Sequence, residues 1–160
     1  MKVYIAAPFF NPEQLLQVVA VENLLKEKEI EFFSPRSFGV IKDMTPEEKE
    51  REMKNIYNKN VEKLLWCDVA IVLVDHKDTG TTWELGFLAG FNKLIDWQRK
   101  KIILTVSLEK KPVNVMLRYC INSHSEEMSD LEKVIEYIES LDSLYLFDNR
   151  VFENNLEVDE

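Results

Sequence analysis

The sequence has little cysteine and histidine. Its two cysteines, Cys67 and Cys120, lie far apart, and neither has a second Cys or a His at metal-ligand spacing. Neither a disulfide framework nor a zinc site is indicated, so both cysteines are expected to be buried small hydrophobic residues. The two histidines, His76 and His124, are also isolated in the sequence, and a lone His is more often a solvated or satisfied residue than a catalyst, so they carry little weight in the prediction.

Positive charge and long hydrophobic runs are scarce as well. Lys and Arg number 20 against 29 Asp and Glu, and the resulting net charge of −9 argues against binding to nucleic-acid phosphates. The longest hydrophobic runs, such as Val69 to Val74, are far shorter than the roughly 20 residues of a membrane span. The N-terminus does not have the pattern of a signal peptide. We therefore expect a cytoplasmic protein without nucleic-acid or membrane partners.

The chain does have enough apolar material for one core. Hydrophobic residues make up 46% of its 160 residues, and aromatic residues make up 11%. No internal repeat, low-complexity segment or linker divides the sequence. We therefore expect a single domain over residues 1–160, in which residues 142–160 form a polar and aromatic tail.

Short β-rich runs alternate with longer helical patterns along the chain. Asp68 to Asp75 is a continuous hydrophobic run, typical of a strand buried on both faces of a parallel sheet. Thr45 followed by Pro46 indicates the start of a helix that lasts to about Trp66. Further strands are predicted over 2–7, 30–33, 101–106 and 119–122, and further helices from residue 12, over 81–94 and over 129–141.

This order of elements predicts a doubly wound α/β fold of the flavodoxin or Rossmann type. Its sheet should be mainly parallel and five-stranded, with helices on both faces. Ligands of such folds bind at the carboxyl ends of the strands, which here are the loops 6–11, 34–39, 75–82 and 107–114. The sequence has no dinucleotide fingerprint, Walker loop or acid pair of a receiver domain, so these three classes are not favoured.

The segment DTGTTWELGFLAG, residues 78–90, is unusual because it holds three of the four glycines. They are Gly80, Gly86 and Gly90. Their concentration predicts tight backbone approach, and the apolar residues around Glu84 predict a buried helix. Thr81 and Glu84 have the spacing of a capping box, in which Glu84 would only satisfy a backbone donor. The alternative is that Glu84, placed shortly after Asp78 and above a central strand, acts on a ligand.

Asn60 is the second unusual residue. It falls between Ile56 and Leu64 at helical spacing, on the apolar face of the helix that begins after Thr45. An amide aimed inward either bonds to backbone in the core or contacts a ligand. The residue pattern leaves both interpretations open.

Several segments of the chain, in their order and spacing, resemble the nucleoside 2-deoxyribosyltransferase family. They are VYIAAPFF with NPEQL, SPR after the second strand, YNKNVEKLLWCDVAIV, DTGTTWELG and PVNVM. The resemblance covers most of the chain. It implies exchange of the base of a 2′-deoxyribonucleoside in nucleoside salvage, without metal or organic cofactor. Deoxyribonucleosides and free nucleobases would be the substrates.

The resemblance implies catalytic roles for Glu84, Asp78 and Tyr4. Glu84 matches the nucleophile, whose carboxylate attacks C1′ and holds the sugar as a covalent glycosyl-enzyme until an acceptor base attacks. Asp78 matches the acid that orients the nucleophile and contacts sugar hydroxyls. Tyr4 matches a tyrosine that hydrogen-bonds the catalytic Glu, although its pattern alone is also that of a core residue.

Five further positions are implied to bind substrate. Ala6 and Phe9 match pocket positions near the sugar and base, and Gly80 belongs to the segment that carries the nucleophile. Asn114 and Met116 match a pair that a neighbouring subunit contributes. A homo-oligomer, either a dimer or a hexamer, with sites shared between subunits is therefore implied. Without the resemblance, these two residues would be a polar loop with Met116 in the core.

The sequence departs from the family pattern at two positions. Asn60, counted with the catalytic residues, stands where members carry an Asp that helps to bind and protonate the base, and an amide cannot supply that proton. Gly39 stands about where some members carry a Gln that recognises the base edge. Two alternatives stay open, an N-glycoside hydrolase of nucleosides or nucleotides and a nucleoside-binding domain with impaired catalysis. The segment Asn114 to Met116 has no Gly/Ser-rich phosphate cradle, which favours free nucleosides.

Overall fold

A computed structural model describes residues 1–38, 44–96, 99–109, 114–119, 126–128 and 130–141. Gly39, Cys120, His124 and the tail 142–160 lie outside the described residues, so the predictions made for them are not addressed. Among the described residues, no helix combines the length and apolar character needed to cross a bilayer.

Five parallel strands form the single sheet of the described chain. Their order across the sheet is β2, β1, β3, β4, β5, so that β1 lies between β2 and β3. This order confirms the predicted doubly wound α/β fold of the flavodoxin type. The strands are β1 (Lys2–Ala6), β2 (Glu31–Phe33), β3 (Val69–Leu73), β4 (Ile102–Val106) and β5 (Glu126–Met128).

In the described chain, four helices lie between strands and a fifth follows the last strand, and the starts of the first two follow from local sequence. Asn11 caps the first helix by accepting a hydrogen bond from the Gln14 backbone, with Pro12 as the first helical residue. Thr45 and Glu48 form the capping box of the second helix. The helices are α1 (Pro12–Glu27), α2 (Pro46–Trp66), α3 (Thr79–Leu94), α4 (Val115–Tyr119) and α5 (131–141), with a 3-10 turn over Pro35–Phe38.

Hydrophobic residues alternate along the strands and build one core on each face of the sheet. On β1, Val3 and Ile5 belong to the core under α1 and α5, whereas Tyr4 and Ala6 belong to the core under α2 and α3. The first core is completed by Val18, Val21, Leu25, Val134, Ile135 and Ile138. The second is completed by Leu64, Cys67, Leu85, Leu88 and Ala89, which confirms the predicted burial of Cys67.

Two local predictions were wrong. A strand was predicted over 119–122, but Tyr119 ends α4, and residues 120–122 lie outside the described residues. The fifth strand that the structure describes is β5, a few residues further along the chain. Gly86 and Gly90 were expected at tight backbone approaches, yet a Cβ on either would meet nothing within 4 Å. The concentration of glycine in this segment therefore did not indicate close packing at these two positions of α3.

Candidate active site

A cavity of about 500 Å³ opens at the carboxyl ends of β1 and β3, beside α2 and α3. The chain leaves β1 and β3 toward opposite sides of the sheet, so this is the switch point where doubly wound folds bind ligands. The apolar lining consists of Ala7, Phe9, Phe10, Pro35, Phe38 and Ile56. The remaining lining residues are Asn60, Asp78, Gly80, Thr81 and Glu84.

Glu84 is the carboxylate at the base of the cavity and is only 9% exposed. The capping box predicted for Thr81 and Glu84 does not form, because α3 begins at Thr79 with Asp78 as its N-cap. The Asp78 side chain, not that of Thr81, accepts the free backbone N–H at the helix start. Glu84 is thereby left for a tertiary contact and for the cavity.

Tyr4 makes that contact from the middle of β1. Its hydroxyl donates a buried hydrogen bond of 2.6 Å to Oε1 of Glu84, from 80 residues away in the sequence. The contact implied by the family resemblance is thus present. Burial, and then the nearby Glu84 carboxylate, raise the pKa of Tyr4 well above its ordinary value of 10.0. The phenol therefore keeps its proton and acts as a donor.

Opposing effects set the ionisation of Glu84. Burial raises its pKa from 4.5 to about 7, the hydrogen bond from Tyr4 lowers it, and the negative charge of Asp78 raises it. A carboxyl group of this kind changes charge near neutral pH. Such tuning is typical of side chains that act on ligands.

Asp78 stands beside Glu84 and is held in place by the first turn of α3. Its Oδ2 accepts the Thr81 N–H at 2.7 Å, and its backbone oxygen accepts the Thr82 hydroxyl at 2.7 Å. A Cβ on Gly80 would lie 3.1 Å from that same Oδ2. A larger residue at position 80 would therefore crowd the Asp78 carboxylate, which gives this one glycine of α3 a steric reason.

Asn60 reaches the cavity from α2. Its Oδ1 is buried, and within the described part of the chain no donor is bonded to it. A buried acceptor left without a partner costs roughly 1–3 kcal/mol, so a ligand that donates to it would recover this energy. Of the two interpretations of the sequence, the geometry fits a cavity-facing amide better than a satisfied core residue.

An aromatic surface continues from the cavity along α2 and α3. Trp83 stacks on Phe87 with ring centroids 5.3 Å apart and contacts Tyr57 at 5.8 Å. Trp83 is 45% exposed and Tyr57 is 56% exposed, so α3 is less buried than its sequence predicted. A second hollow of about 410 Å³ separates these rings from Glu84 and Asn60.

An ion pair behind the cavity positions the SPR segment. Arg36 donates to both carboxylate oxygens of Glu22, a residue of α1 that is 4% exposed, and the Nε contact is 3.0 Å long. Burial opposes ionisation of Glu22, but the hydrogen bonds from Arg36 hold its pKa below the ordinary 4.5. The pair anchors the turn that brings Pro35 and Phe38 to the cavity.

The predicted site residues fall into two groups. Glu84, Asp78, Tyr4, Asn60, Phe9 and Gly80 are brought together in the cavity or on its wall. Ala6 is fully buried, and its neighbour Ala7 lines the cavity instead. Asn114, just before α4, and Met116, on α4, are both exposed and do not line the cavity. Met116 is therefore not a core residue.

Several lining residues were not singled out in the sequence. Phe10, Pro35 and Phe38 lie in the loops after β1 and β2, which were named as ligand loops without choosing among their residues. Ile56 was assigned only to a packing face. Position at a strand end was the signal available for the first three residues, whereas nothing local distinguishes Ile56 from other apolar residues of α2.

Comparisons with known proteins agree with this fold. A family model described as nucleoside 2-deoxyribosyltransferase matches residues 3–116. A solved 2-deoxyribosyltransferase from Bacillus psychrosaccharolyticus is 26% identical, with a TM-score of 0.63 over 84% of this chain and 90% of that one. A conserved protein from Enterococcus faecalis V583 is 17% identical, with a TM-score of 0.66 over 88% and 98%. No curated protein matches the sequence.

Proposed function

The chain belongs to the nucleoside 2-deoxyribosyltransferase family, and we propose that it moves the 2-deoxyribosyl group between nucleobases through a covalent intermediate on Glu84. One observation carries this proposal. A single buried carboxylate, oriented by a phenol that keeps its proton, faces a largely apolar cavity large enough for a nucleoside. The similarity to a solved 2-deoxyribosyltransferase supports the same reaction.

The first step would use the Glu84 oxygen that Tyr4 does not hold. With Oε1 engaged by the Tyr4 hydroxyl, Oε2 would be the oxygen that bonds to C1′ of the deoxyribose. The bond from C1′ to the base nitrogen breaks, and its electron pair leaves with the base. Because Glu84 must be ionised to attack, its raised pKa makes the reaction sensitive to pH near neutrality.

Asp78 would support the same step electrostatically. Its charge lies close enough to raise the pKa of Glu84, and the same field favours positive charge that develops on the sugar ring. An acceptor base then attacks C1′ from the face vacated by the first base, and Glu84 is released. Two inversions at C1′ give net retention of configuration.

Transfer is favoured over hydrolysis by the lining of the cavity. Phe9, Phe10, Phe38 and Ile56 offer no hydrogen bonds to water near the intermediate. Asn60 can hydrogen-bond a base edge but cannot protonate it. The leaving base would therefore either take its proton from solvent or leave as an unprotonated anion. Hydrolysis and impaired catalysis remain outcomes of the test below.

We further propose a homo-oligomer in which Asn114 and Met116 complete the cavity of a neighbouring subunit. Met116 is 74% exposed and Val115 is 62% exposed, as is usual for apolar residues that a partner covers. A role in nucleoside salvage follows from the exchange reaction, because that reaction conserves the deoxyribosyl group. This role and the cytoplasmic location stay predictions.

Product analysis tests the proposed reaction. The purified protein is incubated with thymidine or deoxyinosine, with and without adenine, and the products are separated by liquid chromatography. Deoxyadenosine that forms only with adenine is the expected result. Free base and deoxyribose formed regardless of adenine would indicate a hydrolase, and binding without turnover would indicate an impaired enzyme.

Two Glu variants locate the reaction on the chain. Glu84→Gln should abolish transfer and leave nucleoside affinity within about tenfold, because the carboxylate acts on the transition state. Glu136→Gln, on the exposed side of α5 beyond the opposite core, is the matched control and should retain wild-type activity. Turnover that survives in Glu84→Gln would remove Glu84 as the nucleophile.

A further inference from the structure

A second group of potential ligands lies outside the cavity, where the start of α1 meets the loops after β3 and β4. The carboxylates of Glu13 and Glu109 and the ring of His76 place one ligand atom each within 4.8 Å of the others. The three residues come from three different elements, so no sequence spacing relates them. Among the hydrogen bonds of the described residues, none joins these three side chains to a residue assigned to the nucleoside reaction.

The loop that carries Glu109 is held firmly against the loop that carries His76. Asp75, which is 8% exposed, accepts hydrogen bonds from the Ser107 hydroxyl at 2.7 Å and from the backbone N–H groups of Leu108 and Glu109 at 2.7 and 3.2 Å. These bonds fix the backbone on both sides of the group. The Asp75 carboxylate thus holds the backbone of Glu109 close to that of His76, the residue after Asp75.

Gln17, on α1, contacts two of the three residues. One helical turn after Glu13, its amide lies 3.1 Å from the Nε2 of His76 and donates to Oε1 of Glu109 at 3.2 Å. The same Glu109 oxygen is 3.8 Å from His76 Nε2. Two carboxylates and an imidazole thus converge on one small volume, and a cation there would offset the repulsion between the carboxylates.

The spacing matches a small divalent cation after a modest closure. Ligands at about 2.0–2.2 Å from a tetrahedral Zn²⁺ are about 3.3 Å from one another, so the atoms need to approach by about 1.5 Å or less. Glu13 and Glu109 have flexible, partly solvated side chains that permit this movement. Gln17 would then supply its amide oxygen or give way to water as the fourth ligand.

We propose that Glu13, His76 and Glu109 bind a divalent transition-metal ion, for which Zn²⁺ is the best match. An imidazole nitrogen with two carboxylates suits Zn²⁺, and the nitrogen disfavours Mg²⁺, which requires oxygen ligands in an octahedron. The site would tie α1 to the loops after β3 and β4. Those segments adjoin Phe10 and Asp78, so the ion would brace the cavity without entering it.

Calorimetric titration of the chelator-treated, full-length protein with zinc chloride tests the site independently of catalysis. One Zn²⁺ should bind per chain, and magnesium chloride should bind far more weakly. His76→Gln and Glu109→Gln should each weaken Zn²⁺ binding by at least about tenfold. Saturating Zn²⁺ should also raise the Tm of the wild-type protein by roughly 5–10 °C at 100 times the dissociation constant.

His124→Gln is the matched control, since His124 is the other histidine of the sequence. Its affinity for Zn²⁺ should stay within about twofold of wild type, and circular dichroism should show that each variant is folded. If His76→Gln does not fold, Glu13→Gln, an exposed change on α1, serves in its place. No saturable binding at millimolar Zn²⁺, or binding that is lost in His124→Gln and kept in His76→Gln, would overturn the proposal.

Discussion

At the scale of single residues, Glu84 is under two opposing influences. Burial disfavours its charged form, and Tyr4 favours it by donating a hydrogen bond to it. The net result is a pKa of about 7, so Glu84 can be ionised near neutral pH although it is buried. The folded state therefore bears a cost in stability for a group that the fold itself does not require.

That cost predicts a pH-dependent gain in stability for Glu84→Gln. Because the pKa of Glu84 is about 7 in the folded state and 4.5 in the unfolded chain, the folded state binds more protons between these values. Wild-type stability therefore falls as the pH rises from about 4.5 through 7. The variant should be more stable by about 2–3 kcal/mol at pH 8, with a gain that shrinks toward pH 5. Urea unfolding at both pH values measures this, and an equal gain at both would contradict it.

A second residue-scale prediction concerns Tyr4→Phe. Loss of a hydrogen bond to a charged group should lower kcat by roughly ten- to a hundredfold at neutral pH. Since the Tyr4 hydroxyl lowers the pKa of Glu84, its removal should move the acidic limb of the pH–rate profile upward. Tyr137→Phe, on α5, is the control and should leave the profile in place. A lower rate with an unshifted limb would indicate damaged packing only.

At the scale of elements, the start of α3 determines that Asp78 caps the helix and that Glu84 contacts Tyr4. Asp78 takes the capping role that the sequence assigned to Thr81 and Glu84, and the helix therefore begins at Thr79. The cap fixes Asp78 at the rim of the cavity, and Glu84 is left to face Tyr4 across the core. The same few residues thus start a helix and set two carboxylates side by side.

The contact between α1 and the turn after β2 gives an element-scale prediction. Glu22→Gln should destabilise the fold by about 2–3 kcal/mol at neutral pH, because it leaves Arg36 without its charged partner at a partly exposed site. The lowered pKa of Glu22 means that its contribution is present above pH 4.5 and lost as the pH falls through the folded-state pKa.

Urea unfolding at pH 7 and under acidic conditions measures that loss, with Glu27→Gln, an exposed change in the same helix, as its control. Glu22→Gln should also raise KM more than it lowers kcat, because Pro35 and Phe38 line the cavity and bear no reacting group. If Glu22→Gln unfolds like Glu27→Gln, the ion pair does not stabilise the turn.

At the scale of the whole molecule, the cavity is open on an apolar side. Trp83, Tyr57 and Met53 line the second hollow beside it and are each about half exposed, and Met116 is exposed on α4. Apolar surface of this kind beside a ligand cavity is typical of an interface between subunits. A completed site would then need two chains.

Mixing of one impaired and one inactive variant tests that arrangement. Asn114→Ala should reduce turnover and Glu84→Ala should abolish it, whereas re-formed mixed oligomers should regain part of the activity. One subunit would then supply Glu84 and its neighbour would supply Asn114. Light scattering establishes that mixed oligomers have formed. Their failure to regain activity would show that each chain holds its own complete site.

The sequence by itself determined the fold class and the edge of the sheet at which the cavity lies. Continuous hydrophobic runs between helical patterns, the Thr45 cap and the loops at strand ends are local signals, and they predicted the doubly wound sheet and its ligand edge. The residue pattern also singled out Glu84 and Asp78, and the family resemblance added Tyr4 and the roles implied for all three. These features could be predicted because periodicity and motif spacing act over a few residues.

Only the tertiary structure decided the contacts made across the chain. Tyr4 and Glu84 are 80 residues apart, so their contact was expected from the family resemblance and not from any local pattern. The grouping of His76 with Glu13 and Glu109 joins three separate elements and was not expected at all. Which acid caps α3 also depended on the core, because the hydrogen bond to Tyr4 competes with a local one for Glu84. Sequence spacing carries no information about such pairs, since packing of the sheet and helices alone brings them within bonding distance.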